Sequence, residues 1–559
     1  MTPDDRLEKR RSFIAAALGA GLSWRAISQA LGAAAPAALR AVDPDAVARA
    51  AWDYVIVGAG AGGSVLANRL SSDRAVQVLL LEAGESTLGD ATVADPRAWP
   101  TLQGGKFDWQ YVTTAQAGLG GRVMPYPRGK GLGGSTAINA LGYMRGAPAA
   151  YDRWAVECGD PGWSYSALLP FFRRSECFAA GGGEFHGADG PLHVYPVGIA
   201  PEHNPLSTAF YAAAAAQFGH TPDWNGARTE GAAWTHLALD GGSRDSTARA
   251  YLAPILERPN LTVLTGARVR KLEIGSARCE AVLMEVGGRL FRAAARRETL
   301  LCAGAIDSPR LLLLSGVGPA KDLEHLGIPV VRNLSGVGAN LQDHLLVAGV
   351  LLEARGAIPT SHFNHSESLA LTHGREPRAY ADLLVMGLSV PFALPGLAAM
   401  PEYAFSVVPA FLHPRSRGRV ALRSAEPSAM PLIDPGFLTE PSDLQNLVHA
   451  IEIAREVAAR RELRDWVKRE VYPGPGHSSR ESLVEVARAA ANSFYHPVGT
   501  CRMGAESDSG AVVDHALRVR GVPGLRIVDA AVFPSIPQAM TEAATLAVAE
   551  RAASLIGHA

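Results

Sequence analysis

The stretch Asp53-Tyr54-Val55-Ile56-Val57-Gly58-Ala59-Gly60-Ala61-Gly62-Gly63 constrains the fold more than any other part of the chain. Its apolar run, Tyr54 to Val57, reads as a buried parallel strand that enters a G-x-G-x-x-G turn directly. Ser64 to Leu70 follows as a helix, with Val65, Leu66 and Leu70 at helical spacing. A second apolar strand, Val76 to Leu81, ends in Glu82, 24 positions beyond Gly58. Strand, glycine turn, helix, strand and acid occur in the order of a dinucleotide-binding unit. Gly58 permits the tight turn, Gly60 lets backbone approach a pyrophosphate, and Gly63 lets helix and strand pack closely. The helix N-terminus offers N–H groups to phosphate, and Glu82 can accept from a ribose hydroxyl. The unit by itself leaves NAD and FAD both open.

The 559 residues are enough for two or more domains. A net charge of −1 speaks against a nucleic-acid partner. The five cysteines form no C-x-x-C pair, so neither a metal knuckle nor a dithiol redox motif is expected. No stretch is apolar for long enough to predict a transmembrane helix. Residues 1–41 differ in texture from the rest. Lys9-Arg10-Arg11-Ser12-Phe13-Ile14 is a twin-arginine pattern, a short Ala/Gly-rich apolar stretch follows, and Ala35-Pro36-Ala37 resembles a cleavage site. The expectation is export to the periplasm or beyond in the folded state; the alternative is a cytoplasmic protein with an N-terminal extension.

Further along, Pro127-Arg128-Gly129-Lys130-Gly131-Leu132-Gly133-Gly134-Ser135-Thr136-Ala137-Ile138-Asn139 offers a second backbone-donor surface suited to a flat ring or a phosphate. Between the two glycine loops, residues 86–126 look irregular and rich in aromatics. The texture changes over 150–260, and strand patterns return at 261–264, 267–273 and 298–304. A helix is expected over about 441–460, a strand ending in Asp529 over 524–530, and a terminal helix over 541–556. The nucleotide fold is therefore expected to be assembled from 51–150, 261–345 and 491–559, with 151–260 and 346–490 forming an inserted substrate domain.

With these blocks in hand, the chain from about residue 51 to its end resembles the glucose–methanol–choline (GMC) oxidoreductase family. Gly129–Asn139 is similar to the first family signature. Gly304–Gly318 is similar to the second, with Ser308, Pro309, Ser315, Gly316 and Gly318 in place. Gly338-Ala339-Asn340-Leu341-Gln342-Asp343-His344, Tyr495-His496-Pro497-Val498-Gly499-Thr500-Cys501-Arg502-Met503-Gly504 and Asp529-Ala530-Ala531-Val532-Phe533-Pro534 also match family segments. The resemblance implies an α/β fold: a Rossmann-like FAD-binding domain built from discontinuous segments, with an inserted α+β domain on an antiparallel sheet. It implies FAD, with Gly58, Gly60, Gly63 and Glu82 on the ADP half and Val269 on the adenine side. Gly133, Gly134 and Asn139 would approach the isoalloxazine, and Asp529 and Ala530 would follow the ribitol and pyrophosphate. Some members attach FAD through a histidine where this chain has Ile138, so the FAD is expected to be non-covalent.

Alcohol oxidation needs a base for the hydroxyl proton while hydride leaves carbon, and a neutral imidazole suits that role. By the resemblance, His496 is that base; His344 and His515 have weaker claims. The family carries a second His or Asn six residues beyond the proline matching Pro534, and here that residue is Met540. A thioether donates no hydrogen bond and accepts poorly. Glu542 stands where an asparagine is often found, and serves either as a base or polar contact beside the flavin or as a first-turn acid of the terminal helix. The expectation is a FAD-dependent alcohol dehydrogenase or oxidase using His496, alone or with Glu542. Its substrate would be a small alcohol, and its electron acceptor oxygen, a quinone or a cytochrome. A hydroxynitrile lyase-like enzyme of the same fold is the alternative, followed by a non-catalytic flavin protein.

Overall fold

The computed structural model describes residues 39–376, 378–396 and 398–557. The export signal expected over 1–41 lies outside them, apart from its last three positions. Trp52–Val57 is a strand buried at every residue. Such a strand is apolar throughout, because both faces of a parallel sheet are covered. It pairs in parallel with Val78–Leu81 on one side and with the end of Arg289–Leu301 on the other. Leu261–Leu264 adds beyond the first and Leu525–Ile527 beyond the second. Segments far apart in the chain thus build one parallel array. The earlier part of Arg289–Leu301 leaves this array and pairs antiparallel with Cys279–Val286, which in turn pairs with Arg268–Ile274.

The glycine-loop helix is Ala61–Leu70, starting earlier than Ser64 because Gly60 takes the N-cap position. A Cβ on Gly62 would stand 2.0 Å from the Val528 carbonyl, so this helix presses directly on the chain leaving the last parallel strand. The terminal helix, Thr541–Gly557, packs against it through a buried face rich in alanine. The second-signature helix runs Gly304–Leu314, with Pro309 inside it. Pro309 has no N–H to offer the Ala305 carbonyl. That carbonyl accepts instead from Thr500 Oγ1 at 2.6 Å, which ties the helix to the His496 loop.

A second sheet of eight strands is antiparallel throughout. Its main path runs Val467–Tyr472, Val350–Ala354, Ala404–Phe411, Leu383–Leu388, Ser368–Thr372, Gly231–Trp234. Leu345–Val347 bridges Ala404–Phe411 and Ala491–Ser493. The side-chain period of two divides its faces. Leu383 and Val385 join the core beneath helices Pro205–Phe218 and Pro441–Ala458, whereas Leu384, Met386 and Leu388 join a smaller apolar cluster that also holds Leu346, Leu369 and Val408. The latter face looks into the cavity described next. Among the described residues, no helix is long and apolar enough to cross a membrane.

Candidate active site

The parallel strands end at one edge of their sheet, where ligands of open α/β sheets bind. A continuous cavity opens there. It runs from Arg268, Val269 and Arg310, past Gly58, Gly60 and Glu82, between Gly134, Asn139 and Ala530, to His496, Met540 and Glu542. Most of the residues expected to hold a cofactor therefore share one elongated space.

The cradle is built from backbone. Gly58 has φ +99°, and a Cβ there would lie 2.5 Å from the Cys302 carbonyl. A Cβ on Gly63 would lie 1.9 Å from the Gly58 carbonyl, so this glycine serves helix packing rather than the cavity wall. A Cβ on Gly60 would meet only Gly134 Cα, at 3.9 Å, and would otherwise stand in open space. No side chain caps the helix at Gly60, which leaves first-turn N–H groups free beside the cavity. An elongated slot with an uncapped helix end midway and a flat glycine wall beyond it fits FAD. Several expectations change. Glu82 accepts from the Ala59, Gly84 and Gly131 N–H groups, each at 2.9 Å, so most of its lone pairs join the two glycine loops and only the remainder face a ribose. Gly133 does not line the cavity: its N–H donates to the Ala59 carbonyl, and its Cα packs against Ser246 and Ala248. Asp529 lines the cavity, but its carboxylate accepts from Gly304 N–H, Ser308 Oγ and Ala531 N–H. It fixes the loop there. Lys130 lies over the Trp109 ring.

His496 stands at the far end on a held backbone. Its N–H donates to Asp343 Oδ1 at 2.9 Å, and Tyr126 Oη and Ser493 Oγ donate to Asp343 Oδ2 at 2.6 and 2.5 Å. Burial pushes the Asp343 carboxyl up to about 6 against these donors. The Arg128 guanidinium donates to the Tyr495 carbonyl and lines the same cavity. His496 Nδ1 lies 3.0 Å from His344 Nδ1. One of the two nitrogens must carry the proton. His344 Nε2 is buried near the Leu412 and Pro537 carbonyls, without a well-formed hydrogen bond to either. A proton suits that setting better than a lone pair, so His344 accepts at Nδ1 and His496 donates. His496 Nε2 is then left with the lone pair, on a residue that lines the cavity. Burial, with His344 and Arg128 nearby, holds His496 well below the usual histidine range, and burial takes His344 down to about 3. Both rings are neutral at physiological pH. The His496 ring is reached through the cavity although protein surrounds it, so a bound cofactor would deepen its burial.

Across the cavity, Asn139 Nδ2 donates to Glu542 Oε2 at 2.6 Å. Asn139 is oriented by Arg244 Nη1 at 2.8 Å and the Leu141 N–H at 3.0 Å, both donating to its Oδ1. Glu542 Oε1 and Arg244 Nη2 are buried without partners. Burial raises the Glu542 carboxyl from its ordinary 4.5 to about 7, against the pull of Asn139 and Arg244. Glu542 thus lines the cavity while standing in the first turn of the terminal helix. The carboxyl keeps its proton below about 7, and the stability it contributes is present below 4.5 and is lost as pH rises through about 7. A pH profile of anaerobic flavin reduction is expected to show an inflection near pH 7 that Glu542→Gln removes. Met540 sits against Gly142, with its methyl 3.3 Å from where a Cβ would stand. His515 is remote from the cavity, its carbonyl accepting from Trp163 Nε1.

Sequence reasoning missed Arg244, which arrives on the two-residue strand Ser243–Arg244, and the Tyr126–Asp343–Ser493 anchor. Neither has a local pattern that could have announced it.

The sequence matches the GMC oxidoreductase profiles over residues 52–346 and 414–549. It is 38% identical over 528 residues to an oxygen-dependent choline dehydrogenase of Photobacterium profundum, covering 90% of this chain and 93% of that protein. Among solved structures, pyridoxine 4-oxidase from Mesorbium loti superposes with a TM-score of 0.87 at 36% identity, over 91% of this chain and 99% of that one. An FAD-dependent oxidoreductase from Chaetomium thermophilum does so with a TM-score of 0.81 at 26% identity, over 91% and 99%. The fold and site thus define a flavin-dependent oxidoreductase. The chain belongs to the GMC oxidoreductase family and is an FAD-dependent alcohol dehydrogenase or oxidase of that type.

Proposed function

We propose that the enzyme oxidises a small alcohol at the His496 end of the cavity, with His496 Nε2 taking the hydroxyl proton. The observation that carries this is the pairing of the two Nδ1 atoms at 3.0 Å, which leaves Nε2 unpaired on a residue that lines the cavity. FAD, when bound, supplies the two-electron acceptor for the carbinol hydride. Gly58, Gly60 and the start of helix Ala61–Leu70 would hold its pyrophosphate, Glu82 and Val269 its adenosine half, and Gly134, Asn139 and Ala530 the portion toward the ring. The parallel-sheet segments then serve as the FAD-binding domain and the antiparallel sheet as the substrate domain.

The remaining steps belong to the protein. Asp343 fixes the His496 backbone, and His344 fixes its tautomer. Asn139 and Glu542 form the opposite wall, with Glu542 largely neutral below pH 7. The apolar sheet face would limit water beside the carbinol. Non-covalent FAD is supported by Ile138, whose side chain is buried in an apolar cluster with Val93, Leu102, Phe107 and Ala137. Export through the twin-arginine segment and turnover by oxygen, a quinone or a cytochrome complete the proposal. The test is anaerobic mixing of the FAD-loaded enzyme with alcohols. Loss of oxidised-flavin absorbance supports the reading, while consumption of a cyanohydrin with the flavin still oxidised would favour the lyase alternative.

A further inference from the structure

We infer that His186 is a positioning residue of the active site: a buried imidazolium, held between the carboxylates of Glu176 and Asp223, it locks the 139–146 wall of the cavity in place and releases it on losing its charge. None of the three lines the cavity itself.

Geometry fixes the charge. His186 is buried, with Nδ1 3.0 Å from Glu176 Oε2 and Nε2 2.8 Å from Asp223 Oδ2. An ionised carboxylate only accepts, and a neutral imidazole has one N–H, so a ring flanked at both nitrogens carries both protons. Phe178 stacks on that ring, with centroids 3.7 Å apart. Arg145, fully buried, donates to the same Glu176 Oε2 at 2.7 Å, so two cations face two carboxylates. The other groups turned toward the cluster are neutral. His236 Nδ1 accepts from Asn225 Nδ2 at 3.0 Å, its Nε2 lies 3.9 Å from Asp223 Oδ1, and burial takes it down to about 4. Burial raises the Tyr143 and Tyr165 phenols. Glu184 and Asp189, on the loop that carries His186, are exposed. Burial opposes the charge on His186, but Asp223 and Glu176 outweigh it and hold the ring above the usual histidine range.

A chain of hydrogen bonds joins this ring to the cavity wall. Asp223 Oδ1 accepts from the Asn225 N–H at 2.8 Å. Asn225 Oδ1 accepts from the Arg145 N–H at 2.8 Å, and its Nδ2 donates to the Tyr143 carbonyl at 3.2 Å. On the other side, the Arg145 guanidinium donates to Glu176 and to the Phe185 carbonyl, next to His186. Residues 139–146 are therefore gripped both by backbone and through Arg145. Their near end is the wall. Asn139, Leu141 and Gly142 line the cavity, and a Cβ on Gly142 would stand 3.3 Å from Met540 Cε. When His186 gives up a proton, a lone pair faces a carboxylate, and one cation is left for two buried anions. The lock is present below the ordinary 6.5 and is lost as pH rises through the raised value of the folded protein.

The experiment compares FAD-loaded enzyme with His186→Gln and with His186→Gln/Asp223→Asn. The glutamine donates at one end only, so its carbonyl meets a carboxylate; adding Asp223→Asn turns that clash into an amide–amide hydrogen bond with nothing to titrate. Amide hydrogen exchange of 139–146 is followed from about pH 6 to 10, corrected for the intrinsic pH dependence of exchange. In the unmodified enzyme exchange is expected to accelerate on the order of 10-fold, the equivalent of one pKa unit between the locked and released states. His186→Gln should exchange fast already at the low end, and the double variant slowly throughout. In anaerobic reduction by benzyl alcohol, His186→Gln should raise the half-saturating concentration with FAD content unchanged. That arm alone rests on the alcohol-oxidation reading. Corrected exchange that stays flat in the unmodified enzyme, or a double variant as loose as the single one, would overturn the inference. A flavin that no alcohol bleaches, with the exchange pattern as expected, would overturn the alcohol reading and support the lock.

Discussion

His496→Ala is expected to slow anaerobic flavin reduction by an alcohol by on the order of 10²-fold or more. FAD content should not change, because the cradle at Gly58, Gly60 and Glu82 lies at the other end of the cavity. The loss should appear in the rate at saturating substrate, since the base acts on the transition state rather than on binding. The fold should survive as well. His496 contributes its backbone N–H to Asp343, and alanine retains that N–H. Asp343 keeps Tyr126 and Ser493 as further donors. Flavin absorbance and a thermal melt on the same sample separate this outcome from misfolding. Unchanged reduction kinetics would remove His496 from the base role and leave Glu542 as the candidate.

Glu82→Leu is expected to have the largest effect on the resting protein. Ala59, Gly84 and Gly131 would each lose the acceptor for a buried N–H. An orphaned buried donor costs about 1–3 kcal/mol, so the total is expected to exceed about 3 kcal/mol. The two glycine loops should separate, and the purified protein should come out largely colourless with a lowered Tm. Glu82→Gln tests the same geometry more gently. An amide oxygen still accepts from Ala59 or Gly84, but its NH2 faces an N–H that wants an acceptor, and intermediate FAD content is expected. Full FAD loading in Glu82→Leu would show that the loops hold together without the carboxylate.

The cofactor end was largely legible in the sequence because its information is contiguous. Gly58, Gly60, Gly63 and Glu82 lie within one βαβ unit, and their jobs follow from backbone geometry. Even there the sequence could not show that Glu82 binds its own loops more than it faces a ligand, since the Gly131 N–H comes from 49 residues away. The reacting end was legible only by resemblance. A single histidine in a loop carries no periodic signal, and the contact on which the proposed base role of His496 rests joins residues 152 apart. Arg244 reaches Asn139 across 105 positions and Glu542 reaches it across 403. Pairings of that kind come from sheet topology rather than local pattern. Met540 is the opposite case. The sequence exposed the departure plainly, and the structure adds the chamber around it, where the alternation of Leu384, Met386 and Leu388 with Leu383 and Val385 turns an apolar face toward the cavity.

The most direct test of hydride removal at the His496 end is anaerobic reduction of the FAD-loaded enzyme by benzyl alcohol and by its α,α-dideuterated form, followed by flavin absorbance. Complete bleaching is expected, slower for the deuterated alcohol by a factor of about 3 or more, because cleavage of the carbinol C–H bond contributes to the barrier. Oxidised flavin that persists in the presence of the alcohol, together with product formation, would contradict it.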